Sequence, residues 1–556
     1  MAFVALPLMV AAVLLQLQPG TTLAIPFLNY ELVVLRVDRL SLAFGIVFTL
    51  ITFLGGMYSF HLKDTGERVA TLLYAGSALG VVFAGDLLTL FAFWEIMALS
   101  STYLILARRT SQSRAAGLRY LFVHLFGGGA LLAGILFHVA ETGSLAFDRF
   151  EGGVAAYLIL FAFALNAAVP LLHAWLPDAY PEGTVTGAVF LSAFTTKTAV
   201  YTLARGFAGW EILLWAGVAM AIYGVVYAAI ENDIRRLLAY HIISQVGYMV
   251  AAVGLGSEAA INGATAHAFA HILYKGLLFM GAGAVLYATG RSKLTELGGL
   301  ARAMPLTFSL YMVGAFSISG VPLFSGFAGK SLVLHAAELD HLALAVLLLN
   351  LASVGTFLST TLKLPYFTWF GPKRSLAVAP VPRGMHVGMA LTATVNVAIG
   401  VYPALLYNLM PFAVDYQPYT TPHVIQTLQL LLFTGLGFWL LAEKLGGTAT
   451  ISLDADWLYR RPARLAYRVA VEGTSRAFSA VDSASLRTAR LLANLSADPV
   501  GYLMLAAGAN GNGKCGARYS MPQLGLYNPD RYRPPLGVVV LVVLLCLILG
   551  AWIFFR

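Results

Sequence analysis

Long apolar segments recur from one end of the chain to the other, and they constrain its fold more than any other feature. A helix needs about 20 predominantly apolar residues to cross a bilayer. Segment 303–338 exceeds one crossing and is interrupted at Gly320-Val-Pro322, so we interpret it as one crossing built from two half-helices. Fifteen candidate spans result: 2–17, 39–62, 69–85, 87–107, 116–140, 153–172, 185–208, 210–230, 236–256, 261–289, 303–338, 343–370, 384–408, 424–445 and 536–555.

The spans predict an all-α polytopic membrane protein with about 14–15 transmembrane helices. Of the 556 residues, 59% are hydrophobic and only 11% are charged. A soluble domain is about 25% charged, so a soluble enzyme and a disordered chain are both excluded. The chain has only two cysteines, Cys515 and Cys546, which give no disulfide framework and no zinc or iron–sulfur spacing.

The charge of the connecting loops predicts the orientation of the chain. Basic residues concentrate in loops that follow even-numbered spans, with the acidic loop 173–184 as the exception. By the positive-inside rule these loops are cytoplasmic, which places the N-terminus in the cytoplasm and Arg556 outside. The rule also accounts for the net charge of +9 without a nucleic-acid partner.

A short internal repeat suggests how the spans are organised. Phe190-Leu-Ser and Phe357-Leu-Ser lie about 165 residues and five spans apart, and an odd number of spans inverts a unit across the membrane. Chance is the alternative, because the matching stretch is short.

The repeat and the apolar pattern together predict six segments. We expect N-terminal helices at 1–66, a first repeat at 67–208, a second repeat at 209–370 and C-terminal helices at 371–445. A basic cytoplasmic or interfacial segment follows at 446–535, helical over 469–497, and a terminal helix at 536–556.

Charged side chains inside the spans are few, and each one is costly. A charge at the bilayer centre costs at least ~2.5–3.5 kcal/mol. Glu95 and Lys197 lie midway along their spans, so we expect them to form an ion pair. A desolvated lysine can exchange its proton near neutral pH, whereas an arginine cannot. The pair is a candidate proton-loading site, and a static salt bridge is the alternative.

A row of titratable residues occupies another span. His267, His271 and Lys275 recur every four residues and therefore share one helix face. Three such groups in a row inside a membrane indicate a proton relay, with hydrogen-bonded core residues as the alternative. No acidic or thiol ligand lies near them in the sequence, so we expect no bound metal.

Two breaks in the apolar pattern carry further candidates. Lys330 follows the Gly/Pro-rich break in 303–338, where freed backbone carbonyls must line a cavity or be buried in protein. Lys363 is an accessory candidate, and for both lysines snorkelling towards a membrane surface is the alternative. His173 and Asp178 lie in the Pro-rich break at 170–184. Asp178 either caps a half-helix or lines a proton inlet.

These motifs resemble the antiporter-like subunits of respiratory complex I and, more closely, the D-type subunits of Mrp-type multisubunit Na+/H+ antiporters. The resemblance covers roughly 40–445 and implies two inverted five-helix repeats with a polar axis along the membrane centre. It rests on Trp94-Glu95, the stretch Pro170–Glu182, Lys197, Asn232-Asp-Ile-Arg-Arg-Leu-Leu-Ala-Tyr240, His267-x-x-x-His271-x-x-x-Lys275 and Gly-Phe-Ala-Gly-Lys330.

The resemblance also assigns roles to residues. It implies that Glu95 and Lys197 form the first half-channel pair, that the row from His267 to Lys275 is the central connection, and that Lys330 serves the second half-channel. One position departs from the family pattern. The broken helix of the first repeat usually carries a lysine seven residues before the histidine of its motif, and here that place is Asn166, which cannot carry a charge.

The function implied is proton translocation by one subunit of a multisubunit Na+/H+ antiporter in a bacterial or archaeal inner membrane. Its partners would be other membrane subunits, H+, Na+ and the lipid bilayer. The chain has no redox-cofactor or hydrolytic motif, so membership in an enzyme would depend on its partners. One alternative is the membrane arm of a complex I-like dehydrogenase or membrane-bound hydrogenase. A non-transporting scaffold is the other.

Overall fold

The structure is a computed structural model that describes residues 2–442, 444–446, 454–497, 499 and 535–554. It divides the chain into two compact units, Met1–Trp457 and Leu458–Arg556. Within the described residues, ten helices are long and apolar enough to cross a membrane, and shorter apolar helices accompany them. The predicted all-α polytopic fold is confirmed.

The elements of the first unit follow one another along the chain with short connections. The α-helices are α1 (Ala2–Leu14), α2 (Arg39–Tyr58), α3 (Thr65–Phe83), α4 (Leu87–Leu106), α5 (Ser111–Thr142), α6 (Gly153–Asn166), α7 (Trp175–Ala179), α8 (Gly187–Leu191), α9 (Thr195–Gly206), α10 (Glu211–Ile230), α11 (Ile234–Leu255), α12 (Glu258–Thr289), α13 (Pro305–Ile318), α14 (Ser325–Leu339), α15 (Ala343–Thr356), α16 (Arg383–Val401), α17 (Ala404–Tyr407) and α18 (Thr421–Leu441). Helix α15 continues through wider π turns at Phe357–Lys363 and Tyr366–Phe370.

A β-hairpin between α1 and α2 is an element that the apolar pattern did not predict. Strands β1 (Thr22–Phe27) and β2 (Tyr30–Arg36) pair antiparallel. At the end of β2, Arg36 forms an ion pair of 3.1 Å with Asp148 in the connection before α6. The hairpin is therefore joined to the first group of helices at their connecting loops.

The two proline-containing breaks have the same construction. Helix α6 ends at Asn166 and α13 ends at Ile318, and each is followed within five residues by Val-Pro-Leu. The leucine after the proline has a positive φ in both, 75° at Leu171 and 75° at Leu323. Such backbone is uncommon for a residue with a side chain, and its recurrence shows that both turns are built in the same way. The prediction that 303–338 contains two half-helices is confirmed.

A third break was not predicted, because we expected 185–208 to be one continuous span. Helix α8 ends at Leu191, and α9 begins at Thr195. No glycine or proline lies between them to signal the interruption. Instead, the hydroxyl of Tyr74 on α3 accepts a hydrogen bond of 3.1 Å from the backbone N–H of Thr195. A tertiary contact thus satisfies a donor that the break releases.

Two consecutive helices of the first unit, α5 and α6, have counterparts of the same lengths later in the chain, α12 and α13. Helices α5 and α12 both have 32 residues, and α6 and α13 both have 14. Asp86 caps α4 and pairs with Ala146, while Asp233 caps α11 and pairs with Lys293. All these counterparts lie about 150 residues apart. The division into repeats at 67–208 and 209–370, and their inverted orientation, stay predictions.

The described residues of the second unit are almost all helical. Helix α19 (Asp456–Tyr467) leads through a wide turn at Arg468–Gly473 into α20 (Thr474–Ala497), so the helical segment begins earlier than the predicted residue 469. The last helix is α21 (Leu536–Phe554), close to the predicted 536–555. Residues 506–535 are rich in Gly, Asn and Pro, which predicts a loop, and they lie outside the described residues except for Pro535.

Candidate functional site

Helix α12 carries the predicted row of titratable residues through the interior of the first unit. His267, His271 and Lys275 each have 0% of their surface exposed. Among the described residues, the ring nitrogens of both histidines and the ammonium nitrogen of Lys275 have no hydrogen-bond partner. Buried polar groups normally have one, in protein or in ordered water. The described protein groups therefore do not supply these three side chains with hydrogen bonds, and their role as a relay stays a prediction.

Helix α11 supplies a second polar row that faces α12. His241, Gln245 and Tyr248 recur at intervals of four and three residues and are fully buried. The ring of Tyr248 lies 5.6 Å from that of His267, and the amide oxygen of Gln245 lies 3.5 Å from the hydroxyl of Tyr274. His241 Nε2 lies 2.7 Å from the hydroxyl of Ser359. The helical spacing of this row was visible in the sequence, but we did not predict the row from it.

Lys330 is the sixth residue of α14, is 4% exposed, and its side chain reaches back to the break between α13 and α14. Its Nζ donates hydrogen bonds to the carbonyl of Ile318 at 2.9 Å and to the hydroxyl of Ser353 at 3.3 Å. Nζ also lies 5.2 Å from the centre of the Tyr248 ring, a cation–π distance. These contacts join the break to the polar row of α11, and they exclude the snorkelling alternative for Lys330.

Lys197 occupies an equivalent environment at the unpredicted break. It is 0% exposed, and its Nζ donates to the carbonyl of Ser192 at 2.6 Å and to the hydroxyl of Thr196 at 3.0 Å. Ser192 directly follows α8. Carbonyls at the end of a helix have no intrahelical partner and carry partial negative charge. Both lysines therefore bind carbonyls that a helix break has freed.

The expected ion pair between Glu95 and Lys197 is not formed. Glu95 lies against α5, where a Cβ on Gly128 would overlap Glu95 Oε1. Within the described part of the chain, that oxygen has no hydrogen-bond partner. The prediction assumed that two isolated opposite charges must meet directly. The break after α8 instead gives Lys197 carbonyl and hydroxyl acceptors of its own.

Asn166, the position that departs from the family pattern, contacts a histidine that was not among the predicted site residues. His124 Nδ1 on α5 lies 2.9 Å from Asn166 Oδ1, and both residues are 1% exposed. The imidazole packs between Tyr120 and Trp175, with ring centres 4.1 and 4.6 Å away. A titratable side chain thus adjoins the uncharged Asn166.

The accessory candidates have separate partners. Lys363 is 1% exposed and donates to the carbonyls of Ala229, at 2.6 Å, and Glu231, at 3.0 Å, near the end of α10. It is therefore buried and does not snorkel. Asp178 accepts two hydrogen bonds from Arg119, at 2.7 and 2.9 Å. These bonds join its carboxylate to a side chain on α5 and not to the backbone N–H groups of a half-helix.

His173 leads to a carboxylate that we did not predict from the sequence. His173 Nε2 lies 3.0 Å from Asp454 Oδ1, and the hydroxyl of Tyr240 donates to Oδ2 at 2.5 Å. The hydroxyl of Tyr223 also donates to Asp454. Burial alone raises the pKa of Asp454, but these hydrogen bonds outweigh it and hold the pKa well below its usual range. Asp454 therefore anchors the chain beyond α18 against α10, α11 and the first broken helix.

A cavity of about 920 Å³ reaches Lys330 from one end of α14. Its wall includes His335 and Glu338 on α14, His341 just beyond that helix, and His423 on α18. These side chains give the cavity several groups that can accept or release a proton. The cavity is a candidate route between Lys330 and the surface.

Part of the chain matches a known protein family. The family model described as "NADH:quinone oxidoreductase/Mrp antiporter, TM" matches residues 84–359. The A-type Na+/H+ antiporter subunit of Alkalihalophilus pseudofirmus is 31% identical over 66% of this chain and 52% of its own length. The D-type subunit from the same organism is 33% identical over 50% of this chain and 61% of its own. Hydrogenase-4 component B of Escherichia coli is 28% identical over 69% and 65%, respectively. The chain thus spans about half to two thirds of these relatives.

Two solved structures share the fold. The Mrp complex of a Dietzia species contains a chain with a TM-score of 0.67 and 23% identity, covering 77% of this chain and 94% of that one. The membrane-bound sulfane sulfur reductase, an archaeal respiratory membrane complex, contains one with a TM-score of 0.68 and 24% identity, covering 87% and 95%. The chain is a multi-pass membrane protein, and its residues 84–359 belong to the family of antiporter-like subunits that Mrp antiporters and NADH:quinone oxidoreductases share.

Proposed function

We propose that the chain is a proton-translocating subunit of a multisubunit Na+/H+ antiporter in a bacterial or archaeal plasma membrane, with its N-terminus in the cytoplasm. Its partners are other membrane subunits, and the exchanged cation is Na+. The observation that carries the proposal is the pair of buried lysines, Lys197 and Lys330, each bound to a carbonyl at a helix break, with both broken helices packed against α12. The two lysine amines and the titratable groups of the buried row on α12 supply sites where a proton can rest inside the membrane.

Protons move along this path between groups that hold them in turn. Glu95 and Lys197 serve one half, His267, His271 and Lys275 connect the halves, and Lys330 serves the other. Ordered water bridges the gaps, since the α12 groups have no hydrogen-bond partner in the described protein. A proton on one lysine disfavours a proton on the next by Coulomb repulsion. The cavity beside Lys330 supports a route to one membrane surface.

The test measures proton flux in vesicles that contain a pH-sensitive dye and the reconstituted, assembled complex. Lys197→Ala and Lys330→Ala are compared with wild type and with Lys293→Ala, a matched control at an exposed lysine. Subunit content is measured on the same preparations. We expect both buried-lysine variants to lose flux while assembly and the control are normal. Full flux in an intact Lys197→Ala or Lys330→Ala complex would contradict the proposal and favour a scaffold role.

A second candidate is a proton-pumping membrane-arm subunit of a complex I-like dehydrogenase or membrane-bound hydrogenase. The similarity to hydrogenase-4 component B, over 69% of the chain, favours it. Purification of the native complex separates the two candidates. Co-purified iron–sulfur subunits would support the redox complex, whereas small hydrophobic subunits alone would support the antiporter.

A further inference from the structure

The relay proposed above leaves a gap in its first half, because Glu95 and Lys197 do not pair. Glu95 packs against α5 at Gly128, while Lys197 is bound at the start of α9. A titratable group between α5 and α9 is therefore a candidate carrier for the proton in this gap. The fully buried His124 stands on α5 one helical turn from Gly128.

The neighbours of His124 reach towards Glu95 on one side and towards Lys197 on the other. On one side, Gly128 lies one turn along the same face and contacts Glu95 Oε1. On the other side, Tyr120 lies one turn back, with its hydroxyl 2.9 Å from that of Ser101 and 3.4 Å from that of Thr195. Thr195 begins α9, and the next residue, Thr196, accepts a hydrogen bond from Lys197. Hydroxyl groups thus lead from His124 towards the lysine.

The hydrogen bonding of His124 leaves one ring nitrogen able to take up a proton. Asn166 Oδ1 accepts from Nδ1, and this contact selects the tautomer that carries its proton there. The other nitrogen, Nε2, is buried and has no hydrogen-bond partner among the described residues. A neutral imidazole in this state accepts a proton at Nε2 and releases it again from the same atom.

The correspondence between helices gives an independent argument. His124 is the fourteenth residue of the 32-residue helix α5, and His271 is the fourteenth residue of the 32-residue helix α12. The two histidines therefore stand at the same place in helices of equal length that precede equivalent broken helices. His271 belongs to the central connection of the proposed relay.

We infer that His124 is a proton carrier between Glu95 and Lys197, held by Asn166. The inference rests on the proposed function and adds a residue to it. It also gives the uncharged Asn166 a role, since the amide orients the neighbouring imidazole that carries the charge.

The test uses the reconstituted complex and two variants that cannot bind an extra proton. In His124→Asn the amide nitrogen lies near the place of Nδ1 and keeps the donor to Asn166, and in His124→Gln it lies near the place of Nε2. His138→Gln is the matched control, since His138 is also on α5 but meets Phe150 edge-on and, among the described residues, contacts none of the proposed relay through its ring. We expect both His124 variants to lose flux at least ~10-fold at equal subunit content, as loss of a proton-transfer group usually costs ~10²-fold or more.

Two outcomes would overturn the inference. Near-normal flux in an intact His124→Asn or His124→Gln complex would show that the imidazole need not be protonated. Failure of both variants to assemble, while His138→Gln assembles, would assign His124 a structural role. Comparison with Lys197→Ala distinguishes failure of this inference from failure of the proposed function. If Lys197→Ala lowers flux but the His124 variants do not, the relay stands without His124, and if Lys197→Ala transports normally, the relay itself is wrong.

Discussion

The ammonium nitrogen of Lys330 donates a 2.9 Å hydrogen bond to the carbonyl of Ile318, the last residue of the half-helix α13. The corresponding bond of Lys197 is to the carbonyl of Ser192, directly after α8. In a helix interior each carbonyl already accepts from the backbone N–H four positions on, whereas a carbonyl at a break has no such backbone partner. Each break therefore creates a site where a buried ammonium group is stabilised without a carboxylate.

We expect Lys330→Arg to assemble normally but to lose proton flux. The guanidinium group keeps the positive charge and the capacity to donate to Ile318 O, so the break retains its cation. Arginine does not release its proton at physiological pH, so it cannot take part in a relay. Dye-reported flux at matched subunit content measures the effect. Transport at the wild-type rate would mean that Lys330 acts as a fixed charge.

Gly128→Ala should lower flux by displacing Glu95. The added Cβ would overlap Glu95 Oε1, so the carboxylate must leave its position over α5. Gly129→Ala is the matched control, because a Cβ there meets nothing within 4 Å. We expect lower flux in Gly128→Ala alone, in the same vesicle assay. Equal flux in the two variants would argue against a role for Glu95 at this place.

Tyr74→Phe should destabilise the first unit by about 1–3 kcal/mol, the cost of leaving a buried polar group unpaired. The change removes the hydroxyl that accepts from Thr195 N–H at 3.1 Å and contacts Thr195 Oγ1 at 2.6 Å. Thermal unfolding in detergent measures the loss, and Tyr157→Phe at an exposed position is the control. If the two variants unfold at the same temperature, this hydroxyl does not support the break.

Asp454→Asn should loosen the anchor of the chain beyond α18. Hydrogen bonds to a charged group contribute about 1.5–3 kcal/mol each, and the neutral amide cannot reproduce the three that His173, Tyr223 and Tyr240 make to the carboxylate. We expect faster proteolysis between α18 and α19 than in wild type or in Asp415→Asn, a control at an exposed carboxylate. Unchanged proteolysis would show that the anchor depends on packing alone.

The same anchor has a predicted pH dependence. Because the folded pKa of Asp454 lies below its usual value, the carboxylate stabilises the folded chain at every pH above the unfolded pKa of about 3.9. The contribution is lost as the pH falls through the lower, folded pKa. Proteolysis of wild type should therefore be constant from neutral pH down to about 4 and should rise only below that. A rise near pH 6 would implicate a different group.

The sequence by itself determined that this chain is a bundle of membrane helices with titratable groups at its centre. Apolar runs long enough to cross a bilayer leave no other fold, and the four-residue spacing from His267 to Lys275 puts those groups on one helix face. Gly320 and Pro322 likewise marked the break beside Lys330, because both residues act on the local backbone.

Only the tertiary structure decided which of these groups meet. The break before Lys197 has no glycine or proline and depends on a hydroxyl from α3, which no local pattern encodes. The absent Glu95–Lys197 pair, the contact of His124 with Asn166 and the anchor at Asp454 all join residues distant in the chain. Sequence spacing determines which residues share a helix face, but the packing between helices sets which faces touch.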